Sequence, residues 1–267
     1  MDPIKIIVHG VLGKMGQEVI KGLWREPDFE LVGAVDKNAQ PGVYAIPGDT
    51  TSIPLSDGLD DFISDAHVVV DFTSREGFMT AIGVAANHKV NVVTGSTGLT
   101  EDNLLEAHRI AQEHQIGIIV APNFSIGAVV MIHLAEVAAR FFEYADLTEA
   151  HHEFKRDSPS GTALAIAKAA VKGKAGTFTS AKVDTEVLPG TLGGIHDGVS
   201  IHSSRMPGHV SHHELVFGTL GQTLSIRHDS INRESFIPGV MVAAREVVKS
   251  PGLTVGLENI IGLSERP

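Results

Sequence analysis

The segment Ile4-Lys-Ile-Ile-Val-His-Gly10-Val-Leu-Gly13-Lys-Met-Gly16 decides the fold of the first half of the chain. Its apolar start predicts a short buried strand over residues 4–9, and the glycines follow directly. A helix is predicted next from apolar residues at helical spacing: Met15, Val19, Ile20, Leu23 and Trp24. Glycines between a strand and a helix let the backbone turn tightly and approach a pyrophosphate, which the N–H groups of the helix start attract. The spacing, G-x-x-G-x-x-G, is a variant of the usual dinucleotide-binding pattern and is weak evidence alone.

Strands and helices alternate regularly through the first half of the chain. Further apolar runs predict strands over 31–35, 68–71, 90–94 and 116–121, with helices between them and a Pro- and Gly-rich loop over 38–57. Thr100 is expected to cap the helix that follows it. Nearly continuous Val and Ile strands that alternate with helices predict an α/β fold, a Rossmann-like doubly wound parallel sheet covered on both faces.

The second half of the chain follows a different pattern. A long apolar helix is predicted over 126–142 and another begins at Ser160. Apolar residues then alternate with polar ones over 199–201, 214–217 and 223–227, which predicts the strands of an open mixed sheet. A final helix over 236–248 returns to the style of the first half. We therefore expect a C-terminal α+β domain that begins after Pro122, and a return to the first domain near Arg233.

Composition argues against several classes of protein. The net charge is −11 without any block of Lys or Arg, which is unlike a nucleic-acid-binding protein. The chain contains no cysteine, which excludes disulfides, thiolate metal sites and cysteine nucleophiles. The N-terminus lacks the pattern of a signal peptide, and the apolar runs are too short to span a membrane. We therefore expect a cytoplasmic protein without nucleic-acid or membrane partners.

Three further segments follow predicted strands and fit a dinucleotide site. Asp36 lies about 20 residues past the glycines, where an acid can bind the ribose hydroxyls, and the adjacent Lys37 could meet a 2′-phosphate. An acid beside a base suggests tolerance of both NADH and NADPH. Thr94-Gly-Ser-Thr-Gly98 and Ala121-Pro-Asn-Phe-Ser125 leave room for a nicotinamide at the carboxyl ends of two more strands. The alternatives are an exposed loop aspartate and ordinary turns.

The densest polar stretch is Glu149-Ala-His151-His152-Glu-Phe-Lys155-Arg-Asp157-Ser-Pro-Ser160-Gly161-Thr162. A strong helix former follows it, so Ser160 to Thr162 surround a helix N-terminus, which attracts anions. The two histidines can exchange protons near neutral pH, and Lys155 adds positive charge. A metal-binding pair, surface histidines or a plain helix cap are the alternatives, but no third spaced ligand accompanies the histidines. The combination favours a catalytic site for a small anion.

The same stretch resembles the signature of the dihydrodipicolinate reductases, the 4-hydroxy-tetrahydrodipicolinate reductases of bacterial lysine and diaminopimelate biosynthesis. Several other segments resemble that family, so the likeness covers essentially the whole chain: the glycine loop, Gly95-Ser-Thr97, Ala121-Pro-Asn-Phe124, Arg205-Met-Pro-Gly208 and His212–His213.

The resemblance implies NAD(P)H-dependent reduction of 4-hydroxy-tetrahydrodipicolinate to tetrahydrodipicolinate, without a metal. It makes His151 the proton donor and acceptor and Lys155 the proton donor. The small cyclic dicarboxylate would be bound by His152, Ser160, Gly161 and Thr162. The cofactor, NADH or NADPH, would be held by Gly10, Val11, Leu12, Gly13, Lys14, Met15, Asp36, Lys37, Gly95, Ser96, Thr97, Ala121, Pro122, Asn123 and Phe124.

The resemblance also implies a homotetramer built by the C-terminal sheets. Residues 1–122, with 233–267 returning to them, would form the dinucleotide-binding domain. Residues 123–232 would form the substrate-binding and oligomerisation domain. Three rival hypotheses remain. Another oxidoreductase of similar build should lack the histidine–lysine cluster, and a dinucleotide-responsive regulator should carry a basic DNA-reading element. A histidine-metal hydrolase would bind a metal.

Overall fold

The computed structural model of the chain describes residues 2–263. These residues form two compact units. The first unit contains the residues up to Ile126 together with those from Arg233 onward, and the second unit is Gly127–Asn232. The chain thus passes into the second unit a few residues beyond Pro122.

Thirteen strands and six α-helices are assigned among the described residues. The strands are β1 (Ile4–His9), β2 (Phe29–Val35), β3 (Gly42–Ala45), β4 (Ser52–Ser56), β5 (Val68–Asp71), β6 (Asn91–Thr94), β7 (Gly117–Val120), β8 (Tyr144–His151), β9 (Gly194–His196), β10 (Val199–Arg205), β11 (Ser211–Thr219), β12 (Gln222–Ser230) and β13 (Gly252–Val255). The α-helices are α1 (Lys14–Trp24), α2 (Arg75–Asn87), α3 (Glu101–His114), α4 (Ile126–Ala139), α5 (Gly161–Lys174) and α6 (Ile237–Val247).

The first unit is built on an eight-stranded sheet in the order β13-β7-β6-β5-β1-β2-β4-β3. Every pair is parallel except β3 with β4. One row of the register joins four buried apolar residues across the centre, namely Ile7, Val69, Val92 and Ile118, which pack with side chains of α2 and α3. Burial on both faces explains the unbroken Val and Ile runs and confirms the predicted Rossmann-like sheet.

The prediction of a loop throughout 38–57 is wrong in part, because this segment contains the antiparallel strands β3 and β4. β3 forms the edge of the sheet and most of it is exposed. Short strands at a sheet edge tolerate proline and polar residues, so their sequence resembles a loop. The predicted cap of α3 is confirmed, since the Thr100 hydroxyl accepts from the backbone N–H of Asn103, whose side chain accepts from the backbone N–H of Thr100.

The second unit is built on a five-stranded mixed sheet in the order β12-β11-β8-β10-β9. β8 pairs parallel with β10 and antiparallel with β11. The central strand β8 was not predicted, because its apolar residues are separated by charged and polar ones. Its alternating burial places Leu147 in one core with Ile201, Leu215 and Phe217, against residues of α4 and α5. The expected α+β architecture with a mixed sheet is therefore confirmed, and the predicted helix over 126–142 ends earlier, at Ala139.

No helix within residues 2–263 is both long enough and apolar enough to cross a membrane.

Gly173, in α5, lies against the backbone of Glu136 in α4. A Cβ atom there would fall well inside the van der Waals radius of the Glu136 carbonyl oxygen. Gly173→Ala should therefore lower the free energy of unfolding by about 1–3 kcal/mol through overpacking. Gly83, in α2, is the matched control because a Cβ there meets nothing within 4 Å. Gly83→Ala should raise stability by about 0.5–1 kcal/mol. Urea denaturation checks both, and a Gly173→Ala chain as stable as the parent would contradict the packing argument.

Candidate active site

The glycine turn of the first unit joins β1 to α1, and its backbone leaves no room for a side chain at Gly10 or Gly16. Gly10 has φ +88°, and a Cβ there would crowd the carbonyl of Phe72. A Cβ on Gly16 would collide with the Gly10 carbonyl. Gly13 is the N-cap of α1 and supplies no side-chain cap, so it leaves the first N–H groups of the helix without a side-chain acceptor. Backbone donors at a helix start that follows a glycine-containing turn fit a pyrophosphate.

Asp36 is a buried residue, only 8% exposed, rather than an exposed loop aspartate. It follows β2 directly, and its carboxylate accepts from the backbone N–H of Leu12 at 3.1 Å and of Asn38 at 3.0 Å. These bonds tie the acid to the glycine turn and hold it at the carboxyl edge of the sheet. Lys37 beside it is exposed. The structure thus brings the acid and the glycine turn together, as a ribose–pyrophosphate site requires.

Two more predicted cofactor segments leave the same edge of the sheet. Gly95–Thr97 follows β6 and 121–124 follows β7, its neighbour in the sheet. A Cβ on Gly95 would collide with the ring of Phe72, which in turn packs against Phe124 with ring centroids 5.6 Å apart. Phe124 is fully buried, so its side chain is part of the core rather than of an exposed surface. Thr97 and Pro122 are exposed, and Asn123 accepts through its side chain from the backbone N–H of Ser125.

The second unit carries a buried carboxylate, Glu149, at the centre of its polar cluster. The guanidinium of Arg205 donates to both carboxylate oxygens, at 2.7 and 2.9 Å, and Nδ1 of His151 lies 2.6 Å from Oε2. The backbone N–H of Ser160 adds a fourth donor at 3.2 Å. Burial alone would raise the pKa of Glu149, but the hydrogen bonds from His151 and Arg205 hold that pKa well below its ordinary value.

The Glu149 carboxylate fixes the orientation of His151. An ionised carboxylate can only accept, so Nδ1 of His151 donates and Nε2 is the ring nitrogen left to exchange a proton. The His151 ring is buried and meets the ring of His213 edge-on, with centroids 5.4 Å apart. Burial lowers the pKa of His213 to about 4, so His213 is neutral at physiological pH and acts as a packing partner.

The start of α5 is held by the same cluster. Ser160 is its N-cap, and the hydroxyl accepts from the backbone N–H of Ala163 at 3.1 Å and lies 3.2 Å from Nε2 of His213. The side chain of Ser160 is thus engaged within the protein, and its direct contact with a substrate stays a prediction. Gly161 and Thr162 form the first turn of α5, where the helix dipole places partial positive charge.

Lys155 and His152 lie on the segment between β8 and α5. The ammonium of Lys155 pairs with the carboxylate of Asp157, and this hydrogen bond lowers the pKa of Asp157. The His152 ring is half-buried near Phe154, and its Nδ1 is a buried atom with no hydrogen-bond partner among residues 2–263. Across all of residues 2–263, no group of three or more His, Cys, Asp or Glu side chains is placed to hold a metal ion.

Sequence reasoning did not assign roles to Glu149, Arg205 and His213. Arg205 lies 56 residues from Glu149 and His213 lies 53 residues from Ser160, so no local spacing connects them. The register of β8 with β10 and β11 brings them together. Arg205 of β10 pairs with His151, and His213 of β11 pairs with Glu149. The only signal in the sequence was the presence of all three residues within segments that resemble one family.

The family model for the N-terminus of dihydrodipicolinate reductase matches residues 4–124, and the model for its C-terminus matches residues 127–261. A 4-hydroxy-tetrahydrodipicolinate reductase from Dehalococcoides mccartyi (strain CBDB1) is 45% identical over 265 residues, which covers 98% of this chain and 100% of the relative. The enzyme of that name from Bacillus subtilis (strain 168) is 38% identical and covers 97% of this chain and 98% of its own.

Solved structures give the same result. A dipicolinate-bound dihydrodipicolinate reductase from Paenisporosarcina sp. TG-14 superposes with a TM-score of 0.86 at 33% identity, covering 97% of this chain and 99% of its own. An amine dehydrogenase from Mycobacterium smegmatis shares the fold alone, with a TM-score of 0.66 at 15% identity. The predicted resemblance is confirmed: this chain belongs to the dihydrodipicolinate reductase family.

Proposed function

We propose that the chain catalyses the NAD(P)H-dependent reduction of 4-hydroxy-tetrahydrodipicolinate to tetrahydrodipicolinate, a step of lysine and diaminopimelate biosynthesis. The observation that carries the proposal is the Glu149–His151 pair, a buried carboxylate–imidazole unit anchored to the start of α5. It sits in a chain whose relatives, matched over nearly their whole length, are named for this reaction. Reduction of this substrate with oxidation of NADH or NADPH, followed at the nicotinamide absorbance, tests it directly.

The first turn of α5 and the segment before it form the proposed dicarboxylate site. A cyclic substrate with two carboxylates needs fixed donors and positive charge. Gly161 and Thr162 supply a helix N-terminus, and the ammonium of Lys155 and the ring of His152 lie on the preceding loop. The structure related to this chain that holds dipicolinate, a planar ring with two carboxylates, supports this class of ligand.

The proposed proton transfers involve His151 and Lys155. Loss of the 4-hydroxyl group as water gives the conjugated imine, and NAD(P)H, when bound, would supply the hydride that reduces it, with one proton added to the ring. His151 keeps Nε2 available because Nδ1 is committed to Glu149, and this geometry suits a residue that accepts and returns a proton. Lys155, paired with Asp157, carries the ammonium that we assign as proton donor. The dicarboxylate contacts orient the ring, so remote binding energy serves the chemical step.

The first unit is the proposed dinucleotide-binding domain, and both NADH and NADPH are proposed as cofactors. Asp36 has the position of a ribose-binding acid, while Lys37, beside it and exposed, can pair with a 2′-phosphate. The cytoplasmic location expected from the sequence stays a prediction.

The roles of Lys155 and His151 can be separated from cofactor binding. Losing a positioned proton donor lowers a rate by about 10²–10⁴-fold, so Lys155→Ala and His151→Gln should lower kcat within that range. Both variants should bind NADH nearly as the parent does in a fluorescence titration, because the cofactor motifs lie before residue 125. His151→Gln should also flatten one limb of the pH–rate profile.

The matched controls for these variants are His152→Ala and Thr162→Val, which should raise KM for the dicarboxylate more than they lower kcat, since they remove binding common to ground and transition states. If Lys155→Ala and His151→Gln both keep kcat within about threefold of the parent, well under the range for a general acid, neither residue transfers the proton.

Cofactor preference tests the assignments of Asp36 and Lys37. Asp36→Ala removes a charged acceptor from the ribose and should raise the Kd of NADH by about tenfold, more than that of NADPH. A smaller loss for NADPH is expected too, because the Asp36 carboxylate also holds the N–H of Leu12. Lys37→Ala should weaken NADPH selectively. Equal losses of both cofactors in both variants would refute the two assignments.

The second unit is also the proposed assembly domain of a homotetramer. The face of its sheet that carries Leu147, Leu215 and Phe217 packs in the core, and the opposite face, with Tyr144 and Asp146, is exposed in a single chain. Exposed sheet faces commonly pack against one another. Light scattering should give a mass of four subunits of 28.3 kDa, and a single-subunit mass at micromolar concentration would contradict the proposal.

A further inference from the structure

Asp71, the last residue of β5, is a fully buried carboxylate in the first unit. Three hydroxyl donors and one imidazole surround it. Its Oδ1 receives the Thr73 hydroxyl at 2.6 Å and lies 3.0 Å from Nδ1 of His9. Its Oδ2 receives the hydroxyls of Thr94 at 2.6 Å and Ser96 at 2.7 Å. No sequence motif assigned any role to this residue.

The register of the sheet creates this cluster. His9, Asp71 and Thr94 are the last residues of β1, β5 and β6, and they stand opposite one another across three adjacent parallel strands. Burial alone would raise the pKa of Asp71, but the nearby imidazole of His9 and the hydrogen bonds from Thr73 and Thr94 keep that pKa below its ordinary value. The buried group is therefore an anion at neutral pH, and a buried anion holds its donors firmly because losing any of them is costly.

Ser96 belongs to a segment proposed to hold the cofactor, and the other residues around Asp71 adjoin such segments. His9 immediately precedes Gly10. The methyl group of Thr73 lies 3.0 Å from the place where a Cβ atom on Gly10 would stand. Ser96 is the centre of the Gly95–Thr97 loop. The hydroxyl of Thr94 links that loop to Asp71, because it accepts from the backbone N–H of Ser96 at 2.9 Å and donates to the carboxylate of Asp71.

We propose that Asp71 is the positioning residue of the dinucleotide site, and that it fixes the glycine turn and the Gly95–Thr97 loop relative to each other through Thr73, His9, Thr94 and Ser96. Asp71 and Thr94 are both 0% exposed, so neither can touch a bound cofactor, and any effect of changing them on cofactor affinity is indirect. The inference rests on the proposed function, which assigns both segments to NADH or NADPH.

Thr94 offers the sharper test, because two substitutions separate its hydroxyl from its methyl group. Thr94→Val keeps the shape and removes the hydroxyl, whereas Thr94→Ser keeps the hydroxyl and removes the methyl. If the residue only fills space, valine should be the better replacement. If it positions the loop through Asp71, serine should be the better one. Asp71→Asn, which replaces an acceptor with a donor towards the hydroxyls, is the companion variant.

The measurements are the Kd values of NADH and NADPH by fluorescence titration, with urea denaturation to establish that each variant is folded. Asp49→Asn is the matched control, because Asp49 is an exposed carboxylate of the same unit that accepts from Trp24 and Thr51. Thr94→Val and Asp71→Asn should each raise both Kd values by about tenfold or more, the loss expected when a buried charged hydrogen bond is broken. Both cofactors should lose affinity by the same factor, because the residues around Asp71 do not include Lys37, the residue proposed to pair with the 2′-phosphate.

Thr94→Ser and Asp49→Asn should bind both cofactors within about threefold of the parent, under 1 kcal/mol. Parent-like affinity in a folded Thr94→Val chain, or equal losses in the valine and serine variants, would overturn the inference and leave the proposed function intact. If Asp71→Asn does not fold, the Thr94 pair decides alone. A parent chain that binds neither cofactor would overturn the proposed function and this inference with it.

Discussion

A carboxylate removed from water must be surrounded by donors, and this requirement organises both units of the chain. In the first unit Asp71 accepts from three hydroxyls at the ends of adjacent strands, and the imidazole of His9 lies 3.0 Å away. In the second unit Glu149 collects a guanidinium, an imidazole and a backbone N–H. Breaking one side of such a cluster leaves a buried charge without a partner, which typically costs several kcal/mol. The segments that supply the donors are therefore held in one arrangement.

The two clusters differ in what they leave accessible. Asp71 and its partner Thr94 are wholly enclosed, so their effect can reach a ligand only through the loops that they hold. Glu149 is enclosed as well, but it uses Nδ1 of His151 and so leaves the second nitrogen of that ring uncommitted. The first arrangement suits a binding surface made of backbone, and the second suits proton exchange. This difference matches the functions of cofactor binding and chemistry that we propose for the two units.

Local spacing was enough to predict the parallel sheet, the glycine turn and the motif around His151. It failed where neighbouring strands decide the conformation. The β3–β4 hairpin contains proline and glycine and resembles a loop, yet it is stabilised as the edge of a sheet whose centre lies elsewhere. β8 was missed because Asp146, Thr148 and Glu149 interrupt its apolar residues, although it is the central strand of its sheet. Edge position and pairing on both sides are properties of the whole sheet, and a window of sequence does not contain them.

The sequence by itself determined the elements whose causes are local: a turn that only glycine permits at Gly10, an acid one strand later, and histidines, a lysine and a helix start within one short segment. Membership of the family followed from these motifs. Only the tertiary structure decided what surrounds them, namely that Arg205 pairs with Glu149, that His213 packs on His151, and that Asp71 accepts from Ser96. The physical reason is that a buried charge draws its donors from strands far apart in the chain, and strand register, not sequence distance, sets which residues can reach it.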